Sequence, residues 1–174
     1  PHECSSAASD VYKRQVGLLD MTAFAKCRIK GPKAEEFLDN LVANKLPKKV
    51  GRINLCHALN TKGGVHSEFT IMRESENSFY LVSAGAFQRL DHDWILKWMP
   101  KDGSVQFENL TNSTGVLVVS GPKARELMRR VSKDDFSNEN FKWLSAKNVD
   151  VGYAPVNAMR VNFVGELGLS LIHI

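Results

Sequence analysis

The chain has 174 residues, 43% hydrophobic and 24% charged, with 23 Lys and Arg against 19 Asp and Glu and a formal net charge of +4. That balance is the composition of a soluble globular protein of one ordinary domain or two small ones. The basic residues are scattered, without an arginine-rich arm or aromatic–basic interleaving, and no apolar run reaches membrane-spanning length, so neither nucleic acid nor membrane is an expected partner. The oligomeric state stays open.

The elements begin with a segment that does not read as protein. Residues 5–15 read SSAASDVYKRQ, the translation of a transposon-based sequencing adapter. Residues 169–174 read LSLIHI, the translation of the reverse complement of part of the same adapter. Residues 1–15 and 169–174 are therefore expected to be non-native, adapter-derived segments, and are set aside as an expression scar is. Residues 16–168 remain as a partial domain.

Two stretches echo each other ninety residues apart: CRIKGPKAEEFLDNLV from Cys27 and LVVSGPKARELMRRVS from Leu117. Each reads as a strand, a sharp turn and an amphipathic helix. Gly31 and Gly121 permit the turn, and Pro32 and Pro122 suit the start of a helix, where a missing N–H costs nothing. Apolar residues then recur at helical spacing, Ala34, Phe37, Leu38 and Leu41 in one copy and Ala124, Leu127, Met128 and Val131 in the other.

Between the copies the pattern is mostly β. Residues 53–59 form an apolar strand, Asn60-Thr61-Lys62-Gly63-Gly64 a turn, and 65–72 the return strand. Strict alternation places Val65, Ser67, Phe69 and Ile71 on one face and His66, Glu68, Thr70 and Met72 on the other. Residues 79–82 make a third strand. Residues 85–99 make a helix with an apolar stripe of Phe87, Leu90, Trp94, Ile95 and Trp98, stopped by Pro100. Strands at 105–109 and 116–120 follow, and after an Asn- and Ser-rich loop a last strand at 156–164. Hairpins interspersed with helices give an α+β fold: antiparallel sheets with flanking helices, in two related modules.

Cys27 and Cys56 lie in strand-like apolar contexts, where a buried, reduced cysteine is the common case, and this favours a cytoplasm-like compartment. His57 reads as a packed strand residue and His92 as a helix-surface one. No metal-ligand spacing, nucleophile elbow or phosphate-cradling glycine motif is present, so no metal is expected. Two acids stand out: Glu68, on a strand otherwise made of β-formers, and Glu166, in the glycine turn Phe163-Val164-Gly165-Glu166-Leu167-Gly168.

At these residues the sequence resembles a known family. VGLLDMTAFAKCRIKGPKAEEFLDNLVANKLP, LNTKGGVHSEFTI, FYLVSAGA, VSGPKA and FVGELG follow in the order of the folate-binding aminomethyltransferase fold, to which the glycine cleavage T-protein belongs. LPKKVGRINLCHA with GGVHSEFTI resembles most the C-terminal part of dimethylglycine and sarcosine dehydrogenases. The resemblance implies a truncated copy of that fold. It implies a catalytic carboxylate at Glu68, with Ser67 where the T-protein has a second Asp. It implies folate contacts from the backbone of Val82 and Ser83, stacking by Phe163, and a hydrogen bond from the pterin ring to Glu166.

The cofactor so implied is tetrahydrofolate, with FAD confined to a missing N-terminal domain, and the partners are a folate and a small one-carbon donor. The chemistry suits the residues: a carboxylate accepts paired N–H donors of a pterin, and one in a partly desolvated site both takes a proton and stabilises a developing cation. The implied activity is one-carbon transfer within an FAD-dependent dimethylglycine or sarcosine dehydrogenase, in the cytoplasm, or in the mitochondrial matrix of a eukaryote. A folate-binding module without transfer activity and a stand-alone T-protein are the alternatives. The isolated fragment is expected to be inactive and, cut within a sheet, to aggregate.

Overall fold

A computed structural model describes residues 14–162 and 167–173. The strands are β1 (Gly17–Asp20), β2 (Ala25–Lys30), β3 (Ile53–Leu59), β4 (Val65–Ser75), β5 (Ser78–Ser83), β6 (Gln106–Asn109), β7 (Gly115–Ser120), β8 (Ala146–Val151), β9 (Ala154–Met159) and β10 (Gly168–His173). The α-helices are α1 (Ala34–Leu41), α2 (Gln88–Trp98) and α3 (Ala124–Val131), and a 3-10 turn at Gly85–Phe87 leads into α2. The chain divides into two units, one running Ala23–Ser113 and the other built from residues up to Thr22 and from Thr114 onward.

The continuous unit is a five-stranded sheet of order β3-β4-β5-β2-β6, antiparallel throughout. Alternation sends Cys27, Ile29, Cys56, Ala58, Phe69, Ile71, Phe79 and Leu81 to one face, where they form a core with Ala34, Phe37, Leu38 and Leu41 of α1 and Ile95 of α2. The stripe expected of α1 is therefore the buried one. Each of its larger apolar side chains stabilises the unit by about 1.5–3 kcal/mol. The expected stripe of α2 is rotated: Asp91 and Ile95 are buried, while Phe87, Leu90 and Trp98 are about half exposed. The cause is a buried polar contact, described below, that draws Asp91 inward.

The discontinuous unit has the order β1-β7-β10-β9-β8, again antiparallel throughout. Val119, Ala124, Met128, Phe136, Phe141, Val149, Val156, Ala158, Leu169 and Leu171 form its core, with Leu127 packed against them.

The repeat is longer than the sequence shows. Strand β2 and helix α1 recur as β7 and α3 with every boundary shifted by ninety residues. Gly31 and Gly121 have φ of 132° and 124°, a region that favours glycine. A Cβ on Gly31 would also lie 2.3 Å from the Ser104 carbonyl oxygen. Each copy is closed by an edge strand that comes just before the other copy in the chain: β6 pairs with β2, and β1 pairs with β7.

Strands β1, β8 and β10 were not expected from sequence; the strand expected at 156–164 is β9, which starts at Ala154, ends at Met159 and pairs with β8 in a hairpin, while residues 163 and 164 lie outside the described residues. Residues 169–173, set aside above, form most of β10, between β7 and β9, with Leu169, Leu171 and Ile172 buried. Whatever its coding origin, the segment is a run of β-forming apolar residues facing two unpaired strand edges, and it fills the gap. No helix among the described residues is long and apolar enough to cross a membrane.

Candidate functional site

The hairpin β3–β4 carries the candidate site residues Ser67 and Glu68. Its turn is built by Asn60, whose side-chain oxygen accepts the N–H groups of Lys62 at 2.9 Å and Gly64 at 3.1 Å. Gly63 sits at φ 81° with open space around it, so its requirement is the turn itself rather than a close approach. Beyond the turn the register runs Leu59↔Val65 and then Ala58↔Ser67, leaving His66 as an extra, bulged residue. The His66 ring packs on Trp94 at 4.1 Å between centroids.

Past the bulge, Glu68 stands directly across from His57. Its side chain is 61% exposed, and its Oε2 lies 3.1 Å from His57 Nε2. Residues 42–45 close the outer edge of β3. Val42 bridges Ala58, the Ala43 N–H donates to His57 O at 2.9 Å, and Asn54 Nδ2 donates to Lys45 O at 2.7 Å. Asn44 Oδ1 accepts the His57 backbone N–H at 2.8 Å and lies 3.2 Å from its Nδ1. His57 is thus a partly exposed member of a side-chain row Asn44–His57–Glu68, rather than a residue packed in the core.

The same sheet face carries the row Leu55, Thr70, Val82 and Lys26. Val82 is half-buried and stands between Thr70 and Lys26 in this row. Lys26 is fully buried, and its ammonium donates to Phe24 O at 2.9 Å. Nothing in the sequence marked this lysine as buried: in AKCRIK it alternates with Arg28 and Lys30 on the face opposite Cys27 and Ile29.

Ser67 and Ser83 are on the opposite face. Both are buried, and both hydroxyls donate to the carboxylate of buried Asp91, at 2.6 Å each. Glu68 and Val82 thus share a surface, while Ser67 and Ser83 are held inside by an acid on α2. A buried carboxylate is tolerated where hydrogen bonds satisfy it. Phe163 and Glu166 lie outside the described residues.

The buried thiols carry no chemistry at neutral pH. Burial pushes Cys27 up to about 12 and Cys56 up to about 11. His92 is likewise no surface residue: its ring meets Phe107 edge-on at 4.9 Å, and burial lowers its pKa. On the helix side of the sheet, a cleft of about 280 Å³ is walled by Phe37, Leu41, Leu59, Trp94 and Trp98, and contains none of the expected site residues.

Two antiparallel sheets, a doubled strand–helix unit and a carboxylate on a glycine hairpin define the class: the chain belongs to the GCVT N-terminal domain family, matched over residues 2–173. It is 36% identical over 161 residues to mitochondrial dimethylglycine dehydrogenase of Rattus norvegicus, covering 92% of this chain and 19% of that protein. It is 28% identical to the aminomethyltransferase of Thermoanaerobacter sp. (strain X514), covering 93% of this chain and 44% of that one. The fold matches the crystal structure of glycine cleavage system aminomethyltransferase T from Bartonella henselae with a TM-score of 0.79 at 20% identity, over 93% of this chain and 43% of that one. The chain thus spans less than a fifth of the dehydrogenase and under half of the aminomethyltransferase. By name these relatives are a dehydrogenase of a methylated glycine and an aminomethyltransferase, and a further relative, 32% identical over 162 residues, is the mitochondrial pyruvate dehydrogenase phosphatase regulatory subunit of Mus musculus.

Proposed function

We propose that the chain is the tetrahydrofolate-binding part of a one-carbon transfer enzyme whose parent is an FAD-dependent dimethylglycine or sarcosine dehydrogenase. The observation that carries the reading is Glu68: an exposed carboxylate, fixed by a neighbouring ring, on a hairpin of a chain related to dimethylglycine dehydrogenase. Tetrahydrofolate, when bound, supplies the nitrogen nucleophile that takes up the one-carbon unit.

The residues present fit such a group. Glu68 accepts hydrogen bonds from N–H donors, and Thr70 and Val82 give it a flank of mixed polarity. Glu68 then has two tasks: to accept a proton from a ligand nitrogen, and to favour a positively charged one-carbon donor beside it. Phe163 and Glu166 are proposed to complete the contacts by stacking and by accepting ring N–H groups. FAD belongs to a further domain of the parent, and the mitochondrial relatives make the matrix the proposed compartment in a eukaryote.

In the full-length enzyme, Glu68→Ala is expected to abolish 5,10-methylenetetrahydrofolate formation while amine oxidation continues. An unchanged yield of the folate product sinks the assignment.

A further inference from the structure

We infer that His57 is a positioning residue for Glu68, locked in one ring orientation by Asn44. This rests on the reading of Glu68 above and adds a residue which that reading does not use. Three contacts carry it. The His57 backbone N–H donates to Asn44 Oδ1 at 2.8 Å, which fixes that amide with its oxygen toward the strand. The same oxygen lies 3.2 Å from Nδ1, so Nδ1 must carry the hydrogen. The other ring nitrogen, Nε2, lies 3.1 Å from Glu68 Oε2.

With Nδ1–H given to Asn44, Nε2 is the ring nitrogen turned to the carboxylate, 3.1 Å from Oε2. Oε2 is therefore occupied by the ring, and Oε1 is the oxygen left for a ligand. An exposed glutamate on a strand otherwise samples several rotamers, and ordering such a side chain on binding costs conformational entropy. Here the ring supplies the ordering in advance, by the logic through which an orienting partner fixes a functional group. A misplacement of about 1 Å at a reacting group costs on the order of a hundredfold in rate.

The ring's two side-chain contacts are Asn44, which is neutral, and Glu68, and Lys26 lies further along the same face beyond Val82.

Nitrogen-15 spectra of the histidine-labelled chain, assigned with His57→Gln as the reference, test the geometry. A proton on Nδ1, coupled through Nε2 to Glu68 and altered by Glu68→Gln, is the expected signature. A ring protonated on Nε2 alone with a bare Nδ1 overturns the inference. In the full-length enzyme, His57→Ala is expected to lower kcat for folate product 10- to 100-fold with little change in KM, and His57→Gln, which keeps an N–H toward Glu68, to recover most of it. Equal loss in both variants, or no loss in either, overturns the positioning role. If Glu68→Ala leaves the folate product intact, it is the proposed function that fails, while the ring geometry stands on the spectra.

Discussion

The Lys26 backbone N–H donates to the Thr111 hydroxyl at 3.0 Å, tying β2 to the end of β6. The other unit repeats this lock: the Val116 N–H donates to Thr22 Oγ1 at 3.1 Å. The surrounding contacts are repeated too. Thr111 N–H donates to Asn109 and Thr22 N–H to Asp20, while Leu110 N–H and Met21 N–H each reach the opposing strand at 2.9 Å. Asp-Met-Thr and Asn-Leu-Thr are therefore two copies of one strand-end clasp. Thr111→Val leaves the buried N–H of Lys26 without its acceptor and is expected to cost about 1–3 kcal/mol in a urea melt. A midpoint within error of the parent chain contradicts the clasp.

Asp91 is expected to be the most sensitive polar position of the continuous unit. Asp91→Ala strands the Ser67 and Ser83 hydroxyls in the interior and opens a small void, for a loss of about 2–4 kcal/mol. The triple change Ser67→Ala, Ser83→Ala, Asp91→Leu removes all three polar groups together and is expected to recover much of that loss. Thermal melts of the two variants decide it: a triple variant no more stable than the single one refutes a role confined to satisfying buried hydroxyls.

Acid is expected to weaken the chain between about pH 4 and pH 2. The hydroxyl and backbone N–H of Ser104 hold Asp102 down to about 2, and Asn140 with Ser137 does the same for Asp135. Glu108 is lowered first by its hydrogen bond from Arg28. A carboxylate whose folded pKa is depressed lends stability that is complete above its unfolded value near 4 and disappears as pH falls through the folded value. The melting temperature should therefore fall across this window, and Arg28→Met should shrink the Glu108 part of the fall. A flat profile from pH 5 to 2 is incompatible with these contacts.

Strand β10 makes a sharp claim about residues that look foreign. Leu169 is 1% exposed and Leu171 7%. Leu169→Ala or Leu171→Ala is expected to cost about 2–5 kcal/mol, as core truncations do, and deletion of 169–174 to raise aggregation by opening the edges of β7 and β9. If the shortened chain melts as sharply as the full one, the segment takes no part in the fold.

Much of the fold was legible because it is local. The glycine turns, the stripe of α1 and the hairpin at Asn60 each depend on a few neighbouring residues, and strand β3 falls on the residues expected, Ile53–Leu59. What was missed depends on distant partners. Strand β8 lies in an Asn-rich stretch with little apolar pattern, and it exists because β9 pairs with it. The clasp needed Thr22 and Thr111 to be compared across an offset of 89 residues, one out of step with the echo. In the site, Glu68 was visible as an acid among β-formers, but its partner His57 emerges only from the register. Ser67 and Ser83 were chosen for their place in a motif, and alternation alone already placed Ser67 with Phe69 and Ile71 on the inner face.

The exchange of edge strands also bears on how the chain assembles. The continuous unit holds all its strands within one stretch and can close as soon as that stretch has left the ribosome. The other unit cannot: β1 emerges before the continuous unit, yet its partner β7 follows only after that whole unit has been made. Bringing those ends together in an unfolded chain is entropically slow, but a folded insert shortens the gap to be searched. Folding is thus expected to run from the middle outward, with β1 among the last strands to find its place.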